Sequence, residues 1–187
     1  MQLIAAADTR WGIGKEGKLL VSIPADMKYF QSVTVGHTVI MGRKTLESFP
    51  GGKPLKNRRN IVLSRQEDYM VEGAETVTGP EQALDLIRGQ DPDDVFCIGG
   101  SQIYRMFLPY CDKALITRID HVYDADAFLP DLDRDPSWEL AKEGEEQVFF
   151  DLTYHFCTYL RMRGHAKDCV CGLTASSYLD IKPAIPL

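Results

Sequence analysis

Asp26 is a carboxylate in an apolar setting, within the stretch SIPADMKYF (residues 22–30). Pro24 fits the first position of a helix, because its ring fixes φ and it has no N–H to donate. Asp26 then falls in the first turn, with Met27 and Phe30 close by. An acid there can simply complement the helix dipole, whereas a carboxyl whose pKa is raised by an apolar pocket can act as a general acid. The stretch alone leaves both interpretations open.

Glycines follow the first predicted strand in the pattern GIGKEGK (residues 12–18). The pattern matches both a dinucleotide fingerprint and a phosphate-binding loop. The fingerprint needs a helix that opens at the glycines, but LLVSIP follows them and ends in Pro24. The phosphate loop needs Ser or Thr after the lysine to bind Mg²⁺, but Leu19 stands there. Both motifs are rejected, and residues 8–21 are predicted to be irregular.

Three other predicted strands end in groups that can bind anions. TVIMG leads into Arg43, Lys44 and Thr45, RNIVLS leads into Arg65, and DVFCI leads into GGSQ at 99–102. Helix N-termini offer N–H groups to anions, and ligands bind beyond the carboxyl ends of parallel strands. A tight turn or a solvated arginine explains each end alone. Three such ends at one sheet edge favour a ligand with several phosphates, such as a dinucleotide.

Apolar segments alternate with helical ones along most of the chain. Strands are predicted at 2–7, 38–42, 59–64, 75–78, 94–98 and 113–119, with an antiparallel pair within 137–161, and helices at 24–33, 43–49, 80–88 and 101–110. This order predicts an α/β fold: a mainly parallel central sheet of about eight strands, an antiparallel C-terminal edge and helices on both faces. Residues 1–163 are predicted to form one domain. Residues 164–187 lack periodicity and are predicted to be a poorly ordered tail.

The composition sets further bounds on the kind of protein. With 187 residues, 44% hydrophobic and 26% charged, the chain suits one soluble domain. Its net charge of −6 argues against an extended nucleic-acid surface. Neither a signal peptide nor a membrane span is expected. Five cysteines without a C-x-x-C pair favour a reduced, cytoplasmic protein. A metal site built from His165, Cys169 and Cys171 is disfavoured.

In this order the motifs resemble the dihydrofolate reductase family. The resemblance covers about residues 3–163 and rests on IAA (4–6), GIGKEG (12–17), IPADMKYF (23–30), VIMGRKTLESF (39–49), RRNIVLSR (58–65), CIGGSQIY (97–104), TRID (117–120) and a strand at Trp138. The family reduces 7,8-dihydrofolate to 5,6,7,8-tetrahydrofolate with NADPH, in one-carbon metabolism, and antifolates such as trimethoprim and methotrexate target it. The resemblance implies an NADPH-dependent oxidoreductase that acts as a monomer, without a metal.

The resemblance also implies roles for individual residues. Asp26 would be catalytic: it would hold the amino and ring N–H groups of the pterin and promote N5 protonation through water, with a hydrogen bond from Thr117. Arg58 would pair with the glutamate carboxylate. The implied substrate-binding residues are Ile4, Ala5, Ala6, Met27, Phe30, Phe49, Arg58 and Thr117. The implied cofactor-binding residues are Ala6, Ile13, Gly14, Gly42, Arg43, Lys44, Thr45, Leu63, Ser64, Arg65, Ile98, Gly99, Gly100, Ser101, Gln102, Ile103 and Tyr104.

Within the cofactor set, the resemblance separates several tasks. Thr45 and the 99–102 turn would hold the pyrophosphate, with a cis peptide bond between Gly99 and Gly100. The 2′-phosphate side would be formed by Arg43, Ser64 and Arg65. Residues 12–18 would belong to a mobile loop that closes over the nicotinamide.

The sequence departs from the family pattern at one position, and two alternative functions stay open. Val21 stands where many members of the family have a tryptophan that helps to hold a water near the pterin. A reductase of the same fold could act on another pterin or on a pyrimidine, although Asp26 together with Arg58 argues against it. A nucleotide-binding module without chemistry would bind NADPH and show no turnover.

Overall fold

The structure, a computed structural model, describes residues 1–162. The predicted tail and its His165, Cys169 and Cys171 lie outside the described residues. The part of the chain up to residue 162 contains twelve strands: β1 Gln2–Asp8, β2 Gly12–Lys15, β3 Lys18–Leu19, β4 Thr38–Gly42, β5 Arg59–Leu63, β6 Glu75–Val77, β7 Val95–Gly99, β8 Lys113–Ile119, β9 Ala127–Phe128, β10 Trp138–Glu143, β11 Gln147–Phe149 and β12 Leu152–Arg161. The α-helices are α1 Pro24–Thr34, α2 Arg43–Glu47, α3 Pro80–Leu86 and α4 Ser101–Phe107.

The central sheet has the order β10-β12-β8-β1-β7-β4-β5-β6, and β11 pairs with β12 as a ninth strand. β1 is parallel to both β7 and β8, and β4 is parallel to both β5 and β7. β12 is antiparallel to β8 and to β10. The predicted parallel sheet with an antiparallel C-terminal edge is therefore confirmed.

Side chains of the central strands are buried on both faces of the sheet. Leu3 and Ile40 pack in one hydrophobic cluster with Phe107 of α4 and Ala83 of α3. The next residues along the strands, such as Ile4 and Met41, pack in a second cluster with α2 and with Phe30 of α1. Since successive side chains of a strand point to opposite faces, the helices cover both faces, as predicted.

Several predicted boundaries are wrong. Residues 8–21 are not irregular: β2 pairs with β3 and with β9, which gives a separate three-stranded sheet. The helix predicted over 43–49 ends at Glu47, where Ser48 Oγ donates to the Thr45 carbonyl at 2.7 Å. The helix predicted over 101–110 ends at Phe107 and continues as a 3₁₀ turn, Leu108–Tyr110, around a proline. The predicted antiparallel pair within 137–161 is present as β10 and β12, but the segment also contains a third strand, β11, which pairs with β12 and was not predicted.

The parallel arrangement brings the carboxyl ends of β1, β4, β5, β7 and β8 to one edge of the sheet. Gly42, Leu63, Gly99 and Asp8 are the last residues of four of these strands. Within residues 1–162, no helix is both long enough and apolar enough to cross a membrane.

Candidate active site

A cleft of about 670 Å³ opens at the carboxyl ends of the parallel strands. Every one of the predicted cofactor-binding residues lines it, from Ala6 on β1 to Tyr104 on α4. The structure therefore brings these residues together, and their roles toward a cofactor stay predictions. A second cavity of about 380 Å³, lined by Met1 and Lys113 among others, lies at the opposite edge and contains none of the predicted site residues.

Two glycines at the floor of the cleft stand where a side chain would contact neighbouring residues. A Cβ on Gly42 would lie 3.0 Å from Ile103 Cγ1. Gly99 has φ +109°, a region that favours glycine, and a Cβ there would lie 2.9 Å from the Tyr104 ring. The Gly99–Gly100 peptide is cis, as the resemblance implies. At these positions the backbone itself forms the cleft surface.

Positive side chains lie on one side of the cleft. The Arg43 guanidinium donates to Glu47 Oε1 at 2.9 Å and lies 5.8 Å from the centre of the Tyr69 ring. Lys44 and Arg65 are exposed at the rim. The cations at the ends of β4 and β5 thus face one ligand volume, which suits a phosphate group.

Asp26 lies in the first turn of α1, as predicted. Its Oδ1 accepts a hydrogen bond of 2.6 Å from Thr117 Oγ1, the contact that the resemblance implies. Thr117 is 2% exposed on β8 and is paired with Ala6 of β1 and Phe156 of β12. The helix start and the sheet together hold the carboxyl in one position.

Burial raises the pKa of Asp26, and the Thr117 hydrogen bond opposes that rise. Burial also raises the pKa of Tyr29, to which the Asp26 charge adds. An acid whose main role is to complement a helix dipole in water would have a lowered pKa instead. The direction of the shift therefore favours the interpretation of Asp26 as a carboxyl in an apolar pocket.

An apolar wall extends from Asp26 toward Arg58. Ile4, Phe30 and Phe49 belong to or pack on one hydrophobic cluster. Arg58 lies 5.9 Å from the Phe30 ring centre and donates to Thr34 Oγ1 at 3.0 Å. Burial lowers the pKa of Arg58. Of the predicted substrate residues, Met27 is the most open, at 45% exposure.

β1 contributes both to the cofactor cleft and to the surroundings of Asp26, since Ala6 lines the cleft and is paired with Thr117, the hydrogen-bond partner of Asp26. Ala5 and Ala6 line the cleft, while Ile4 packs on the apolar wall of the pocket. The Tyr104 hydroxyl donates to the Ile4 carbonyl at 2.8 Å. Burial raises the pKa of Tyr104 well above its ordinary value, with smaller contributions from Cys97 and Asp26. A ligand in the cleft and a ligand in the pocket would meet at Ala6.

The cleft also contains residues that the sequence prediction missed. They are Leu19, Ser48, Gln66, Thr78, Met106 and Ala127; Gly17 and Lys18 also line the cleft and belong to the segment 12–18 that was predicted to close over the nicotinamide. Thr78 follows β6 directly, so the rule of strand carboxyl ends could have found it. Ala127 reaches the cleft only through the pairing of β9 with β2, which no local pattern indicates.

Among residues 1–162, no cluster of side chains suited to a metal ion is present. The three cysteines described, Cys97, Cys111 and Cys157, are buried free thiols. Burial raises the pKa of Cys111 to about 12 and that of Cys157 to about 11. Thiols with such pKa values are poor nucleophiles near neutral pH.

Comparison with known proteins agrees with this geometry. The family model described as dihydrofolate reductase matches residues 1–161. A dihydrofolate reductase of Neisseria meningitidis is 43% identical over 160 residues, covering 85% of this chain and 96% of the relative, and one of Bacillus subtilis is 36% identical over 161 residues, covering 85% and 93%. The solved structure of dihydrofolate reductase from Enterococcus faecalis, complexed with NADP(H) and RAB-propyl, is similar with a TM-score of 0.76 and 33% identity, covering 86% of this chain and 95% of that one. The chain therefore belongs to the dihydrofolate reductase family, whose enzymes use NADPH.

Proposed function

We propose that this enzyme reduces 7,8-dihydrofolate to 5,6,7,8-tetrahydrofolate with NADPH, and that Asp26 promotes protonation of the pterin at N5. The observation that carries the proposal is the Asp26–Thr117 hydrogen bond of 2.6 Å, placed beside a cleft that holds every predicted cofactor residue. Ala6 lines the cleft and is paired with Thr117, the partner of Asp26, so the two reacting rings would meet beside Ala6.

The cleft fits NADPH in its chemistry. Gly42, Gly99 and Gly100 line the cleft, and because they carry no side chain a large ligand can approach the backbone there. Arg43, Arg65, Thr45 and Ser101 all line the cleft. The two arginines can offer charged donors to the 2′-phosphate, and the two hydroxyls can donate to the pyrophosphate. When bound, NADPH supplies the hydride.

The pocket side of β1 fits the folate. Asp26 can accept hydrogen bonds from the amino and ring N–H groups of the pterin. Phe30 and Phe49 form an apolar wall for the aromatic part of the substrate. Arg58 lies at the far end of that wall and can pair with the glutamate carboxylate. Antifolates such as methotrexate and trimethoprim are expected to compete for the same pocket, because they too present N–H donors to Asp26.

The acid–base role follows from the environment of Asp26. A C=N bond accepts hydride more readily once its nitrogen is protonated. Burial raises the pKa of Asp26, so the carboxyl can hold or organise a proton nearer to neutral pH than an exposed aspartate can. Thr117 donates to one oxygen only, which leaves the other oxygen for the substrate or for a bridging water.

The decisive experiment is an assay of the purified full chain. The absorbance of NADPH is followed with and without dihydrofolate, in the presence of excess chelator. We expect a loss of absorbance that depends on dihydrofolate and is unaffected by the chelator. Binding of NADPH without turnover would identify a nucleotide-binding module instead. Turnover only with another pterin or with a pyrimidine would identify a different reductase of this fold.

A further inference from the structure

We propose that Asp8 is a positioning residue: its buried carboxylate joins the segment that carries Ile13 and Gly14 to the 120–126 loop, and so determines how tightly the cleft binds NADPH. Asp8 ends β1 and is 0% exposed. Neither a sequence motif nor the chemistry described above assigns it a role. The inference rests on the placement of NADPH in the cleft proposed above.

The Asp8 carboxylate accepts three backbone hydrogen bonds from two separate parts of the chain. Oδ1 accepts from the amides of Arg10 and Gly12, both at 2.8 Å. Oδ2 accepts from the amide of Tyr123 at 2.9 Å. A buried carboxylate needs partners for its oxygens, and hydrogen bonds to a charged acceptor are stronger than neutral ones. Each oxygen therefore holds a different segment.

The segment held by Oδ1 contains a backbone conformation that needs support. Trp11 has φ +64°, which is costly for a bulky side chain and persists only where its surroundings enforce it. The two amides that Oδ1 binds, those of Arg10 and Gly12, flank this residue. The Trp11 ring is 3% exposed and lies 4.2 Å from the Arg118 guanidinium. The carboxylate thus holds the chain on both sides of the strained residue.

The Asp8 carboxylate lies directly against Gly12, the first residue of β2. A Cβ at Gly12 would lie 3.1 Å from both Asp8 oxygens and 2.7 Å from the Cβ of Ala125. The next two residues, Ile13 and Gly14, line the cleft. Ile13 follows Gly12 directly in the chain. A shift of Gly12 relative to the 120–126 loop would therefore move Ile13 and, with it, the wall of the cleft.

Asp8→Asn tests the link to Tyr123. Asparagine keeps one carbonyl oxygen for Arg10 and Gly12, but its amide nitrogen is a donor that would face the Tyr123 N–H. Thr9 still holds the two segments together, since its amide and hydroxyl both donate to the His121 carbonyl at 3.1 Å. We expect the Kd and KM for NADPH to rise about tenfold, the size of one lost hydrogen bond, with kcat and the KM for dihydrofolate near wild type.

Asp91→Asn is the matched control. Asp91 accepts the Asp93 amide at 2.9 Å, near the amino end of β7 and far from the cleft. This variant should leave NADPH binding unchanged. All constants are measured well below the Tm of each variant, so that every sample is folded.

Three outcomes overturn the proposal. One is an Asp8→Asn enzyme with a lowered Tm and an unchanged Kd for NADPH, since Asp8 would then only stabilise the fold. The second is an equal rise in the KM for dihydrofolate. The third comes from the wild-type enzyme and remains available if the Asp8→Asn variant does not fold. Bound NADPH should slow hydrogen exchange of the Gly12 and Tyr123 amides. An unchanged exchange rate would contradict the proposal that Asp8 couples these two amides to the cleft.

A companion measurement separates this inference from the placement of NADPH. If replacing Arg43 and Arg65 by alanine weakens NADPH binding while Asp8→Asn does not, the placement stands and the inference about Asp8 fails. If neither change affects NADPH, the cofactor binds elsewhere and the placement itself is wrong.

Discussion

Two opposing effects, burial and a hydrogen bond, act on the pKa of Asp26. Burial among apolar side chains disfavours the charged form, while the Thr117 hydroxyl stabilises that form through a hydrogen bond of 2.6 Å. Burial has the larger effect, so the pKa is raised. The carboxyl that would organise a proton for catalysis therefore destabilises the folded state when it is ionised.

Replacing Asp26 by asparagine is expected to lower kcat/KM by roughly 10²–10⁴, the usual contribution of a positioned acid–base group. Asparagine keeps an oxygen that can accept from Thr117, so the pocket should stay intact. The measurement is the steady-state rate of NADPH oxidation at several dihydrofolate concentrations. A variant with near wild-type kcat/KM would show that Asp26 takes no part in the reaction.

The same substitution is expected to stabilise the empty enzyme at pH 7. The raised native pKa means that the folded state binds more protons than the unfolded state between the unfolded pKa of about 3.9 and the native pKa. Stability from this group is fully present below the unfolded pKa and is lost as pH rises through the native pKa. Urea denaturation at pH 7 measures the difference. A clearly less stable variant would make Asp26 a paired structural acid.

Thr117→Val offers a second view of the same balance. Valine removes the hydrogen bond that opposes the rise, so the pKa of Asp26 should increase further. The pH profile of kcat/KM should then move toward higher pH. A profile that stays in place would show that another group controls it.

Among the secondary-structure elements, the strands that a local apolar pattern marks were predicted well from the sequence. The bounds of β4 and β8 were predicted to the residue, because each strand contains a run of three apolar residues, 39–41 and 114–116, which is typical of strands covered on both faces. β2, β3 and β9 were not predicted, since a glycine-rich hairpin depends on pairing with Ala127–Phe128, more than 100 residues away. The role of Asp8 was hidden for the same reason, because Tyr123 lies 115 residues along the chain.

The ends of β4 and β5 place Arg43 and Arg65 on one side of the cleft. Replacing both by alanine is expected to weaken NADPH binding far more than NADH binding, since charge-assisted phosphate contacts contribute on the order of 1.5–3 kcal/mol each. Kd values for both cofactors give the test. Arg88→Ala, a surface arginine paired with Asp85, is the control and should change neither. An equal loss for NADPH and NADH would place these arginines away from the 2′-phosphate.

The turn between β7 and α4 depends on Gly99. Gly99→Ala combines an unfavourable φ of +109° with a Cβ 2.9 Å from the Tyr104 ring. Gly36→Ala is the matched control, because Gly36 has φ +86° but open space around it. We expect Gly99→Ala to lower the free energy of unfolding by about 1–3 kcal/mol more than Gly36→Ala, and to raise the KM for NADPH. Equal losses in urea denaturation would show that Tyr104 yields without cost.

For the whole molecule, the last strand and the family match both end at Arg161. Cutting the chain after Arg163 is therefore expected to leave folding and turnover nearly unchanged. Thermal unfolding and the NADPH assay, run on the full and the shortened chain, make the comparison. A shortened chain that fails to fold, or that loses most of its activity at an unchanged Tm, would show that residues 164–187 are part of the working enzyme.

The position of β1 at the centre of the sheet has a consequence for the chain during its synthesis. β1 is made first, yet its neighbours β7 and β8 are completed only at residues 99 and 119. At about 5–20 residues per second, the apolar strand LIAAA waits about 5–20 s before both of its partners have been made. Throughout that interval it lacks the two neighbours that cover it in the native sheet, and unpaired apolar strands are prone to aggregate. The centre of the sheet can therefore close only after most of the chain has left the ribosome.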